Sequence, residues 1–177
     1  MPEPFEKYGI TAEAIHKKGA LFILTDGMGG AQAGEVASEL AAGWTAAGFY
    51  EQMDSSDVPD EVLTRVISEI NARLFELAAS YDQYQGMGTT IVVFHVQDRF
   101  LTVCSVGDSR AYLFRKGKLV QLTEDQSEAW EIYKAGGISK EEIGQHPRSH
   151  ILKKALGTEK GLGRDEIFTY KDKLKKK

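Results

Sequence analysis

Very little in this sequence points away from an ordinary soluble fold. It holds a single cysteine, Cys104, so no internal disulfide can form, and its place in an apolar strand pattern makes it a small core residue. No apolar run approaches the ~20 residues that span a bilayer, and Met1-Pro2-Glu3-Pro4-Phe5-Glu6 lacks the basic and apolar regions of a signal peptide. The expectation is a cytoplasmic chain with no membrane partner. Basic charge is not in surplus either: 22 Lys and Arg against 26 Asp and Glu give a formal charge of -4, no field for gathering phosphate backbones. Nucleic acid is therefore not the expected partner. No repeat of 20 to 50 residues and no linker between two compositions is present.

What is there is balanced. Hydrophobic residues at 42% and charged residues at 27% suit a folded globular chain, and 177 residues suit one domain spanning 1–177. Leu21-Phe22-Ile23-Leu24 reads as a buried strand that delivers Asp26 to its C-terminal end, where a glycine-rich turn follows. The first residues, to Gly19, read as an irregular arm with a helical turn near Ala12 to His16. Glu35 to Phe49 predicts a helix facing the sheet through Val36, Leu40 and Trp44, with Ala37 and Ala41 beside them. A second helix, capped by Asp57 and opened by Pro59, runs to about Ser80 with the stripe Val62, Val66, Ile70 and Leu74.

From Gly86 the period becomes two. Thr89 to Gln97 and Phe100 to Val106 predict one hairpin, and Ala111 to Phe114 with Leu119 to Leu122 a second, turned at Gly117. Asp125 to Lys134 predicts a helix, Ser139 to Glu142 a capping box for a short one, and Ser149 to Leu156 another. A last strand over Glu166 to Tyr170 precedes a solvated tail carrying five lysines. The order of elements implies an α+β layered domain.

The chemistry gathers in two strand-end turns. Asp26-Gly27-Met28-Gly29-Gly30 fails as a dinucleotide fingerprint, since Gln32 stands where glycine is needed, and no Gly-Lys-Ser/Thr makes it a phosphate loop. Two readings remain: the Asp26 carboxylate and the Gly27 carbonyl face a hard cation such as Mg²⁺ or Mn²⁺, or Asp26 caps the helix that follows. Val106-Gly107-Asp108-Ser109-Arg110 repeats the arrangement. Asp108 is either a second carboxylate in the same cleft or a hairpin residue bonded to its own backbone.

These segments occur with others in a familiar order. Thr25-Asp26-Gly27-Met28-Gly29-Gly30, Ala33-Gly34-Glu35-Val36-Ala37-Ser38, Gly86-Met87-Gly88-Thr89-Thr90, Val106-Gly107-Asp108-Ser109-Arg110-Ala111-Tyr112, Leu122-Thr123-Glu124-Asp125-Gln126-Ser127 and His146-Pro147 with Ala155-Leu156-Gly157 resemble the bacterial type-2C, metal-dependent protein serine/threonine phosphatases, the PPM family. The resemblance implies a β-sandwich of two antiparallel sheets flanked by helices in α-β-β-α layers. It implies Mn²⁺ or Mg²⁺ as cofactor, with Asp26 as the catalytic bridging ligand, Gly27 offering its carbonyl and Asp108 near a further ion. The implied reaction is hydrolysis of phosphoserine or phosphothreonine on a protein substrate by a metal-activated water. Residues 126–150 resemble a flap beside the cleft, Gln126 and Met28 stand where many relatives have histidine, and Glu13 is the nearest match to an N-terminal acidic ligand.

The family's N-terminal Arg-x-x-Asn-Glu-Asp segment and its C-terminal Ser-Asp-Gly and Asp-Asn segments have no counterpart here. Asp165 and Asp172 lie in other contexts. That leaves a second reading, a phosphatase-like module that binds or regulates without turnover. An incomplete sandwich also leaves strand edges that dimerisation or strand exchange would cover.

Overall fold

A computed structural model describes residues 10–174; the opening segment and the last three lysines lie outside the described residues. The elements, in chain order, are α1 (Ala12–Lys18), β1 (Ala20–Leu24), β2 (Gly27–Met28), α2 (Ala31–Gln52), α3 (Pro59–Ser80), β3 (Gly88–Thr89), β4 (Ile91–Gln97), β5 (Phe100–Val106), β6 (Tyr112–Arg115), β7 (Lys118–Gln121), α4 (Glu128–Lys134) and β8 (Phe168–Lys173). Antiparallel pairing gives a four-stranded sheet in the order β1-β4-β5-β8, a two-stranded ribbon β2-β3 and the hairpin β6-β7. Helices and antiparallel sheets make the α+β architecture that the period changes predict.

The sheet is covered differently on its two faces. Leu21 and Ile23 of β1, Ile91 and Val93 of β4, and Cys104 and Val106 of β5 meet α2 and α3 in the main core. Val92, Leu101 and Val103 point the other way and pack with Ala111 and Leu122, which flank the β6-β7 hairpin. β5 is therefore buried on both faces from Leu101 to Val106. Among the described residues the second sheet layer consists of that hairpin, and it does not reach β1, where Phe22 is 62% and Leu24 54% exposed. The expectation of a fully buried first strand is corrected: β1 is an edge strand with one covered face.

Helix α3 follows its predicted stripe, with Val62, Val66, Ile70 and Leu74 all buried. In α2 the buried face is turned by one position from the expected Val36, Leu40 and Trp44. Ala33, Ala37, Ala41, Thr45 and Phe49, each four apart, form it instead. Small side chains let α2 approach the sheet closely, while Trp44 lies at the margin under the Arg73 guanidinium, 4.2 Å from the ring centroid.

Four local expectations change for identifiable reasons. Val58, not Asp57, occupies the N-cap of α3; the Asp57 carboxylate instead accepts from the Asp54 N–H at 2.8 Å, closing the preceding turn. Ser139 receives only half a capping box, its N–H donating to Glu142 Oε2, and a single 3-10 turn over Ile143–Gln145 follows. Ser149 to Leu156 is not helical. Its backbone is taken by distant partners, Lys153 N–H donating to the Gln126 carbonyl at 2.7 Å and Leu156 N–H to the Thr89 carbonyl at 2.8 Å. The tail is likewise shorter than expected, since Lys171 and Lys173 belong to β8, opposite Thr102 and Phe100.

Candidate functional site

Strand order explains why two turns about eighty residues apart meet. β1 and β5 both run antiparallel to β4, so they run parallel to each other and end at the same edge of the sheet. Asp26 follows β1 and Asp108 follows β5. Thr90, which immediately precedes β4, sits between them, because β4 is the strand between β1 and β5.

The Asp26 turn is fixed by its backbone. Asp26 N–H donates to Thr90 Oγ1 at 3.1 Å, and Thr90 N–H returns a bond to the Asp26 carbonyl at 2.9 Å. Gly27 then crosses the first turn of α2 at a separation no side chain would permit: a Cβ on Gly27 would meet the Gly34 carbonyl oxygen at 1.9 Å. The two glycines, one in each of two motifs, are a single backbone contact. Asp26 and Gly27 are both exposed, so the carboxylate is not spent on capping α2; the N-cap position belongs to Gly30, with no side-chain bond to the helix.

The Asp108 turn is held from two sides. Gly107 adopts φ of +102°, a conformation that favours glycine, and a Cβ there would strike Thr90 Cγ2 at 2.7 Å. Its N–H donates to Gln126 Oε1 at 2.9 Å, while Gln126 Nε2 donates to the Glu166 carbonyl at 2.7 Å. Arg110 forms a fork on the buried Asp125 carboxylate, with Nε at 2.9 and 3.0 Å from its two oxygens. That pairing raises the Arg110 pKa further above its ordinary value.

Electrostatics tie the carboxylates together. Burial, the leading cause, pushes the Asp108 carboxyl above its ordinary range; its own backbone N–H opposes this, and the negative charges of Asp125 and Asp26 add to the rise. A nearby cation would relieve that repulsion. The donors suit a hard divalent ion, and Mg²⁺ sites commonly use one or two carboxylates with water and phosphate oxygens completing the shell. Among the described residues no group of three or more His, Cys, Asp or Glu converges as a metal site. Glu13 does not join: its carboxylate pairs with Lys17 at 2.7 Å on the exposed face of α1.

A cavity of about 300 Å³ opens at Asp108, bounded by Arg110, Asp125, Ile143, Gly144, Ser149 and His150. Its far wall is the 126–150 segment, which carries a small core of its own in Ala129, Trp130 and Ile143. A larger cleft of about 720 Å³ lies beyond Gln126. Some of its charged walls are paired, Lys154 with Glu166 and Arg148 with Glu128, and its lining does not include Asp108, so the smaller cavity is the better candidate. Sequence reading placed Asp26, Gly27 and Asp108 but gave no role to Thr90, Ser109 or Gln126, whose hydroxyls and amide hold the turns. The visible signal was that each lies in one of the family-like segments, Thr90 in Gly86 to Thr90, Ser109 in Val106 to Tyr112 and Gln126 in Leu122 to Ser127.

Helices outside antiparallel sheets, with two acidic glycine turns at one end of the sheet, define the class: an α+β protein with two carboxylates gathered at strand ends. The family profile described as protein phosphatase 2C matches residues 11–158, and the chain belongs to that family. The serine/threonine phosphatase stp of Listeria welshimeri is 38% identical over 152 residues, covering 85% of this chain and 59% of that protein. Protein phosphatase PhpP of Streptococcus pneumoniae is 34% identical over 138 residues, 77% of this chain and 56% of that protein. Among solved structures, the chain is similar to serine/threonine phosphatase Stp1 from Staphylococcus aureus, with a TM-score of 0.79 and 33% identity over 87% of this chain and 60% of that one. It is also similar to the catalytic domain of the phosphatase PstP in complex with 2 manganese ions, with a TM-score of 0.71 and 28% identity over 88% of this chain and 62% of that one. The chain thus spans about three-fifths of the length of these relatives. No helix among the described residues is long and apolar enough to cross a membrane.

Proposed function

We propose that the chain acts in metal-dependent hydrolysis of phosphoserine and phosphothreonine on proteins, with the Asp26 and Asp108 carboxylates and the Gly27 carbonyl as donors to Mn²⁺ or Mg²⁺. The observation that carries this reading is the convergence of Asp26 and Asp108 at the ends of parallel-running strands β1 and β5. A divalent ion held there supplies Lewis-acid polarisation of a phosphate and acidifies water near neutral pH. The chain's own part is to fix the donors: Thr90 and Gly34 hold the Asp26 turn, and Gln126 holds the Asp108 turn. The segment 126–150 acts as the flap, its Ile143–Gln145 turn shielding the Asp108 cavity from bulk water. Relatives whose names state a serine/threonine phosphatase support the substrate class.

The test is hydrolysis of a phosphothreonine peptide by the 177-residue chain with added Mn²⁺, against Asp26→Asn and Asp108→Asn. Turnover in the parent that is lost in Asp26→Asn is expected; equal rates in the two proteins sink the proposal. One observation favours a second reading, a binding module without turnover: the described residues bring together no three-residue metal cluster. Phosphopeptide or Mn²⁺ binding with no hydrolysis at any metal concentration would establish that reading instead.

A further inference from the structure

We infer that Thr90 is the positioning residue that locks the two aspartate turns to each other, with Ser109 as its partner. Its side chain is 3% exposed and touches both turns at once. The hydroxyl accepts from the Asp26 N–H at 3.1 Å and lies 2.7 Å from Ser109 Oγ, beside Asp108. Its methyl group fills the space that the absent Cβ of Gly107 leaves. One threonine therefore contacts Asp26, the second residue after β1, and Gly107 and Ser109 after β5, across a gap that strand geometry sets.

That gap is why a side chain is needed. Adjacent strands stand roughly 4.8 Å apart, so the ends of β1 and β5, separated by β4, are roughly 10 Å apart and share no backbone bond. Only a residue at the start of β4 can bridge them. Valine would fill the same volume, but it cannot accept from Asp26 N–H or bond Ser109. Thr90 Oγ1 has two lone pairs and one proton, so while it accepts from the Asp26 amide it can still bond Ser109 Oγ with either hydroxyl as the donor.

The role toward a metal rests on the function proposed above; the coupling itself does not, so the two are read by separate measurements. Amide hydrogen exchange of the metal-free chain reports the coupling, and Mn²⁺ titration followed by electron paramagnetic resonance reports donor placement. Thr90→Val is expected to speed exchange about tenfold both at residues 25–28 and at 107–110, leaving β4 and β5 protected, with Thr90→Ser near the parent. If only one turn loosens, or neither does, the coupling is overturned. Ser109→Ala removes one half-buried hydroxyl and keeps the reading open should Thr90→Val fail to fold: it is expected to loosen the Asp26 amide about threefold through Thr90, and an unmoved Asp26 amide refutes the link. In the titration, Thr90→Val is expected to weaken Mn²⁺ about tenfold, with rescue by Thr90→Ser. A parent that binds Mn²⁺ no better than Thr90→Val overturns the positioning role. A parent that binds none at all overturns the proposed function, while hydrogen exchange still decides the coupling.

Discussion

Replacing Gly34 by alanine should destabilise this chain, although the substitution ordinarily does the reverse. Gly34 is the fourth residue of α2 and donates normally to the Gly30 carbonyl at 2.9 Å. In a helix interior, alanine is favoured over glycine by roughly 0.5–1 kcal/mol. Here the new Cβ would meet Gly27 C at 2.8 Å, Gly27 O at 3.0 Å and Met28 N at 3.0 Å, all backbone atoms that cannot swing aside as a side chain would. Overpacking of this kind costs about 1–3 kcal/mol. Subtracting the helix preference leaves a net loss of up to about 2.5 kcal/mol, with a middle value of about 1 kcal/mol or roughly 2–4 °C in Tm for a chain of this size.

Differential scanning calorimetry of Gly34→Ala against the parent measures this directly. Gly144→Ala is the control, because a Cβ there meets nothing within 4 Å, and it should be neutral or stabilising by up to about 1 kcal/mol. A Gly34→Ala protein melting at or above the parent temperature would refute the close-approach argument. The same protein carries a second test. If it is destabilised yet binds Mn²⁺ as the parent does, the backbone that moved is not a donor, and the Gly27 carbonyl leaves the ligand set.

Other perturbations address the rest of the molecule. Burial lowers the His95 pKa below its ordinary 6.5 despite the bond to the Lys18 carbonyl, so the unfolded chain takes up a proton that the folded one resists. The resulting stability is whole above pH 6.5 and is lost as pH falls toward the folded value; the urea midpoint should drop from pH 7.5 to 5 more steeply in the parent than in His95→Phe. Arg110→Met strands the Asp125 carboxylate, 4% exposed, with Gln121 Nε2 at 3.0 Å among its remaining donors. Breaking a fully buried pair costs about 3–5 kcal/mol; with the Arg110 head partly in solvent, about 2 kcal/mol is expected by urea denaturation, much of it recovered when Asp125→Asn is added. Burial pushes the Cys104 thiol up to about 12. It should react with a disulfide reagent only at the rate of unfolding, and fast labelling of native protein would contradict its place in the core.

The sequence made legible what periodicity and strand-end chemistry encode. The stripe of α3 and the β4-β5 hairpin follow from apolar spacing, and the two aspartates follow from glycine turns after apolar runs. What periodicity weighs poorly was misplaced: in α2 the packing face is built from Ala33, Ala37 and Ala41, whose small side chains carry little signal beside Leu40 and Trp44. Ile151, Leu152 and Ala155 have helical spacing, yet the Lys153 and Leu156 amides bond to Gln126 and Thr89 instead, partners no local window contains. The bonds of the hydroxyls and amide that brace the site escape a local window for the same reason, although the residues themselves lie in the family-like segments. Thr90, Ser109 and Gln126 acquire their roles only when strand order brings three turns to one edge.

The charge arrangement at that edge supports a ligand more than it supports the fold. Arg110, the nearest cation by sequence, is committed to Asp125 through a bidentate fork, and no ion pair among the described residues reaches Asp26 or Asp108. Burial is the main reason the Asp108 carboxyl resists ionisation; the charges of Asp125 and Asp26 add to it, while its own backbone N–H and Arg110 oppose it. A fold selected only for stability would exchange one of these carboxylates for an amide and lose the repulsion. Keeping both, at strand ends tied through one buried threonine and flanked by a glycine contact that tolerates no side chain, places two carboxylates where no ion pair among the described residues reaches them. Under the function proposed above, a divalent cation is the partner whose charge and oxygen preference answer that arrangement, and with the two turns already held through Thr90 and Gln126, little backbone ordering entropy would be lost on binding.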